Sequence, residues 1–123
     1  MKFRDYFSKQ AEEYSKYRPK YPDELFKYLS SLTKEHDLAW DCACGNGQAS
    51  IGLAGYYKKV IATDASPAQI NFAIQHPIVT YLTAQAENSG LESNSADIIT
   101  AATAIHWIDT EKFYPEANRI LKP

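Results

Sequence analysis

A chain of 123 residues with 45% hydrophobic and 23% charged side chains has the composition of one ordinary globular domain, which excludes a disordered or low-complexity polypeptide. Its formal net charge of −2 offers no basic footprint for a phosphate backbone, and no apolar run approaches the ~20 residues needed to span a bilayer. The two cysteines, Cys42 and Cys44, lie too close for an unstrained disulfide and have no second pair to complete a zinc site, so a reducing compartment, the cytoplasm, is expected.

From the amino end, residues 5–17 place Phe7, Ala11, Tyr14 and Tyr17 three and four apart, the spacing of an amphipathic helix. Arg18-Pro19 ends it, because the residue before proline is pushed out of the helical region. The surrounding run from Tyr14 to Tyr21 interleaves Lys16, Arg18 and Lys20 with tyrosines, and reads either as a solvated helix end or as a local cationic patch. A second helix begins at Pro22 with Leu25, Phe26, Tyr28, Leu29 and Leu32 as its expected buried stripe. Residues 38–42 are short and apolar, and lead through Gly45 and Gly47 into a segment carrying Ala49, Ile51, Leu53 and Ala54: strand, glycine turn, helix.

Residues 60–63 form a second strand ending at Asp64. Ser66-Pro67-Ala68-Gln69 then has the form of a capping box with proline at the first helical position, opening a helix expected to reach Gln75. Residues 79–83 and 96–101 supply a third and fourth strand, and Asp109 caps a last helix reaching Leu121. Such alternation predicts an α/β fold with a mainly parallel sheet, helices on both faces and right-handed crossovers. Residues 1–36 form an N-terminal helical segment and residues 37–123 the sheet-bearing part of a single domain. A four-stranded sheet leaves the fourth strand as an open edge, so a truncated domain and self-association through that strand are expected.

The chemistry concentrates after the first strand. In open α/β sheets a ligand binds beyond the carboxyl ends of the strands, and the first turn approaches it so closely that glycine is required. Gly45-Asn46-Gly47 sits in that turn, and Asp64 follows Gly45 by 19 residues, near the ~20 expected for an acid that accepts from ribose hydroxyls. Alone, a G-x-G pair is also an ordinary tight turn; with the acid and the capped helix it implies an adenosine-containing ligand. Asp41, just before the turn, suits a cationic ligand better than a pyrophosphate, and Ser50 replaces the third glycine of a dinucleotide fingerprint. His36, His76 and His106 are scattered, and no metal motif, nucleophile elbow or phosphate loop is present, so no metal is expected.

The segment Asp41-Cys42-Ala43-Cys44-Gly45-Asn46-Gly47 resembles the first motif of class I S-adenosylmethionine-dependent methyltransferases, departing from it at Ala43, where glycine is usual. The resemblance continues through Val60-Ile61-Ala62-Thr63-Asp64-Ala65-Ser66, Ala84-Gln85-Ala86-Glu87 and Ala96-Asp97-Ile98-Ile99-Thr100 to Arg119-Ile120-Leu121-Lys122-Pro123, nearly the whole chain. It implies a Rossmann-like three-layer sandwich, here with four strands and two N-terminal helices, that binds S-adenosylmethionine and releases S-adenosylhomocysteine. Asp41 would meet the methionine amino end, and the backbone of Ala43, Gly45 and Gly47 would pass beneath the cofactor. Asp64 would hold the ribose, Ala65 and Ser66 would line the adenine, and Gln85 and Ala86 would meet its edge.

After the fourth strand, small residues including Thr103 would leave room beside the cofactor. His106 would orient a small-molecule acceptor or act as a base, or else simply pack against Trp107. Ile105-His106-Trp107 and the opening Phe7 to Pro22 are similar to the branch containing trans-aconitate methyltransferases, in which Tyr14 and Arg18 would belong to a lid. Gln85 and Glu87 read equally as a polar loop, and Ala43 implies tighter packing or weaker binding. Two other readings stay open: a nucleotide-dependent oxidoreductase domain of the NAD type, and a non-catalytic cofactor-binding or interaction fragment.

Overall fold

The computed structural model describes residues 21–101 and 109–123. The helix expected over residues 5–17, with Tyr14 and Arg18, and the stretch holding Thr103 and His106 lie outside the described residues. The elements are α1 (Asp23–Ser31), β1 (Leu38–Cys42), α2 (Gln48–Ala54), β2 (Lys59–Asp64), α3 (Pro67–Asn71), β3 (Val79–Thr83), β4 (Ile98–Thr100) and α4 (Thr110–Ile120). The four strands form one parallel sheet in the order β3-β2-β1-β4. The chain builds outward from β1 to β3, then returns across the sheet to lay β4 on the other side of β1. The strand order therefore reverses between β1 and β4, and at such a reversal the loops diverge and leave a crevice at the carboxyl end.

Period-two alternation assigns each strand residue to a layer. Ala39, Val60, Ala62 and Val79 face one cluster with Phe26, Ala49, Leu53, Ala54 and Tyr57, which seats α1 and α2. Trp40 and Cys42 face the other, with Leu91, Ala96, Phe113 and Ile120, which seats α4. These are the three layers of a Rossmann-like α/β sandwich. Trp40, wholly buried, anchors the second cluster, and its indole N–H donates to Thr63 Oγ1 at 3.0 Å, so the ring is buried without an orphaned donor. On the opposite face α1 lies so close to α2 that a Cβ at Gly52 would overlap the Phe26 ring.

Three expectations need correction. The buried stripe of α1 narrows to Phe26 with half-buried Leu29; Leu25, Tyr28 and Leu32 are exposed, because the helix packs on α2 through a tight contact of Phe26 at Gly52 rather than along its length. The helix expected to reach Gln75 ends at Asn71, where the backbone turns to bring Ile74 N–H to Asn46 O at 2.9 Å. The fourth strand spans Ile98–Thr100 only; Ala96 instead bridges Leu121 in parallel, and the amides of Ser95 and Ala96 both donate to Ile120 O. The chain leaving α4 thus covers the start of that edge, while β4 itself pairs with β1 alone among the described residues. Beneath the sheet, Asp97 accepts from the Asp37 and Leu38 amides at 2.8 and 2.9 Å and from Lys122 Nζ at 2.9 Å. The amino ends of the strands are tied shut, and the carboxyl ends carry the open turns. Among the described residues no helix is long and apolar enough to cross a membrane.

Candidate functional site

The turn after β1 is built from left-handed backbone. Ala43, Gly45 and Gly47 have φ of 55°, 58° and 93°, so three of five consecutive residues occupy a region that a Cβ disfavours. Cys44 N–H donates to Thr63 O at 2.9 Å and Gly47 N–H to Cys44 O at 3.1 Å, which folds the turn back over the end of β2. Gly47 has a second constraint: a Cβ there would overlap the Tyr81 hydroxyl, which reaches up from β3 and donates to Ile74 O at 2.5 Å. Burial pushes the Tyr81 phenol up, so it stays protonated as that donor.

Asp64 joins the two turns that flank the crevice. One carboxylate oxygen accepts from Gly45 N–H at 2.9 Å and the other from Ser66 N–H at 2.8 Å. Burial raises its pKa, and the two backbone donors oppose that rise. Each oxygen keeps a further lone pair, so the same carboxylate can still accept from a ligand hydroxyl. Ser66 is the N-cap of α3, its hydroxyl accepting from Gln69 N–H at 3.4 Å. The reciprocal half of the expected capping box is displaced, since Asp64 has taken the Ser66 amide and the buried Gln69 Oε1 has no partner.

Asp41 lies under the turn, 1% exposed. Ser50 Oγ, from the first turns of α2, donates to its Oδ2 at 2.6 Å, and Thr100 Oγ1, from β4, donates to its Oδ1 at 3.0 Å. The carboxylate is therefore held from both sides of the strand-order reversal. In the glycine turn, Asn46 is fully buried with neither side-chain Nδ2 nor Oδ1 paired, the kind of group that a water or polar ligand completes.

The structure brings Asp41, Ala43, Gly45, Gly47, Asp64 and Ser66 together at the carboxyl ends of β1 and β2. Ala65 is half-buried between Asp64 and the N-cap. The segment after β3 joins them through Ala84 N–H, which donates to Asp64 O at 3.0 Å; Gln85 is exposed and its carbonyl closes a tight turn onto Asn88 N–H. Ala86 packs toward the Trp40 cluster. Ser50 enters the sequence reading only as a missing glycine, and Thr100 and Tyr81 only as members of the fourth and third strands, with no side-chain role. The two cysteines are free and buried. Burial, helped by the Asp41 charge, pushes the Cys42 thiol up to about 12 and Cys44 higher still, so both are inert thiols. No group of His, Cys, Asp and Glu among the described residues could hold a metal ion.

Residues 40–123 match the type 11 methyltransferase domain, from Trp40 on β1 to the end of the chain. The chain belongs to the methyltransferase family. A Dictyostelium discoideum protein named as a methyltransferase is 42% identical over 98% of this chain and 46% of its own length. A Saccharomyces cerevisiae protein whose name specifies S-adenosylmethionine dependence is 28% identical over 92% of this chain and 42% of its own. Among solved structures, an Anaeromyxobacter dehalogenans protein named as a type II methyltransferase superposes with a TM-score of 0.83 at 45% identity, over 87% of this chain and 46% of that one. This methyltransferase chain spans somewhat less than half the length of the curated relatives it matches.

Proposed function

We propose that this chain is the cofactor-binding portion of an S-adenosylmethionine-dependent methyltransferase acting on a small-molecule acceptor. The observation that carries the reading is the buried Asp41 carboxylate beneath a glycine turn at the strand-order reversal. A pyrophosphate at that turn would meet a fixed negative charge, whereas a ligand bearing an ammonium and a sulfonium is stabilised by it. When bound, the cofactor supplies an activated methyl group to an acceptor that attacks in line.

The residues of this chain then bind and orient. Asp41 favours the cationic amino-acid end, and Gly45 and Gly47, with Ala43, offer backbone that a ligand can approach closely. Asp64, already fixed by Gly45 and Ser66, directs its free lone pairs at the ribose, while Ala65, Ser66, Gln85 and Ala86 border the adenine. Tyr14, Arg18 and Thr103 would keep the cofactor roles, and His106 the acceptor role, that the sequence resemblance implies for them. No protein nucleophile is needed, so catalysis rests on positioning and desolvation. Calorimetric titration with S-adenosylhomocysteine and with NAD tests the reading: saturable binding of the first and none of the second is expected. Binding of NAD alone would assign the site to the oxidoreductase class, and binding of neither would leave a non-catalytic interaction fragment.

A further inference from the structure

We propose that Ser50 and Thr100 are positioning residues that aim Asp41 at the cofactor's amino-acid end. The inference rests on the cofactor assignment above and concerns how the charge is delivered. A carboxylate on a strand can rotate about its terminal torsion, and a rotating charge is a poor partner for a directional ammonium donor. Here the rotation is blocked from two independent elements. Ser50 Oγ holds Oδ2 at 2.6 Å from α2, and Thr100 Oγ1 holds Oδ1 at 3.0 Å from β4, where Thr100 is the register partner of Asp41. Both are hydrogen bonds to an ionised acceptor, the stronger and more directional kind.

Neither hydroxyl is there for want of another residue. A third glycine at position 50 would allow closer packing of helix on strand, and a β-branched aliphatic at position 100 would suit a parallel strand; each is replaced by a hydroxyl of the right reach. Asp41 is itself 1% exposed and Ser50 fully buried, so solvent does not supply these donors in their place. Because the two donors come from opposite sides of the reversal, the plane of the Asp41 carboxylate is set by the relative placement of α2 and β4, the two elements that wall the crevice.

The test compares two ligands that differ only at the end in question. S-adenosylhomocysteine carries the amino-acid end; 5′-methylthioadenosine lacks it and keeps the ribose and adenine. Titration calorimetry on the 123-residue chain is run with Ser50→Ala, Thr100→Val and Thr100→Ser, each checked by thermal melting. Loss of one charge-assisted bond is expected to weaken S-adenosylhomocysteine by about tenfold in the first two variants, with 5′-methylthioadenosine changed by less than about twofold. Thr100→Ser keeps the donor and is expected to retain wild-type affinity for both. Equal losses on the two ligands, or a Thr100→Ser defect as large as that of Thr100→Val, would overturn the inference while leaving the cofactor assignment standing. Failure of the wild-type chain to bind either ligand would instead overturn the assignment, and the inference with it.

Discussion

Ala43 stands where the motif that the sequence resembles has glycine, and its backbone keeps a glycine conformation, φ 55°. A left-handed non-glycine residue carries about 1–2 kcal/mol of steric strain. Replacing it with glycine removes that strain and returns about 0.4–1 kcal/mol of chain entropy to the unfolded state. The Ala43 methyl is only partly buried against the Trp40 cluster, so its loss forfeits little packing. Ala43→Gly is therefore expected to stabilise the fold by about 0.5–1 kcal/mol, raising the melting temperature by roughly 2–4 °C in a domain of this size. Asn94 provides an internal control because its φ is also 55°, but asparagine tolerates that region, so Asn94→Gly should gain much less. Urea denaturation followed by far-ultraviolet circular dichroism reads both variants, with a higher midpoint and an unchanged slope expected for Ala43→Gly. A lower midpoint, or a shift no larger than that of Asn94→Gly, would refute the claim that Ala43 is strained.

Gly47→Ala combines a φ of 93° with overlap of the Tyr81 hydroxyl, and is expected to cost about 2–4 kcal/mol; pairing it with Tyr81→Phe should recover part of that in the same denaturation assay. Gly52→Ala would gain about 0.5–1 kcal/mol of helix propensity at an open site, but here the Phe26 ring must move, so a net loss of about 1–2 kcal/mol is expected, reversed in sign when Phe26 is shortened to leucine. Glu116 accepts from the Ser89 amide and hydroxyl and from Arg119, and the Arg119 guanidinium foremost brings its pKa down from 4.5 to about 2. A depressed folded-state pKa gives stability that is fully present above pH 4.5 and is lost as pH falls toward about 2. The stability difference between wild type and Glu116→Gln, about 1–2 kcal/mol at neutral pH with Arg119 partly exposed, should narrow through that window.

The sheet was legible because its signals are local. Four short β-rich runs, two glycines between a strand and a helix, and a serine-proline helix start each fix an element without long-range information, and β1, β2 and β3 fall where those signals put them. Where the sequence reading erred, packing decided. Leu25, Tyr28 and Leu32 have helical spacing, but nothing in a sequence reveals that Gly52 draws α1 in at a single point and leaves them exposed. Likewise α3 stops early because Asn46, some 25 residues upstream of that helix end, offers its carbonyl to the Ile74 amide.

The acids show the same division at the level of the site. Their positions follow from spacing alone, but their partners do not. A capping-box pattern promises that Gln69 will bond back to Ser66, and the pattern is satisfied in sequence; in the folded chain Asp64 reaches the Ser66 amide first, because its other oxygen is already fixed on Gly45. One side chain thereby ties the glycine turn to the start of α3, and both lie beside the bond through which Ala84 brings in the segment after β3. Under the proposed function, an acid in that place would both stabilise the unliganded turn and hold the ribose with the same two oxygens. Removing its charge by Asp64→Asn should therefore weaken binding of S-adenosylhomocysteine and of 5′-methylthioadenosine alike, in contrast to Ser50→Ala, and should also lower the urea midpoint in the absence of ligand. A variant that lost affinity with an unchanged midpoint would show that the clasp between Gly45 and Ser66 contributes nothing to the fold, and that Asp64 serves the ligand alone.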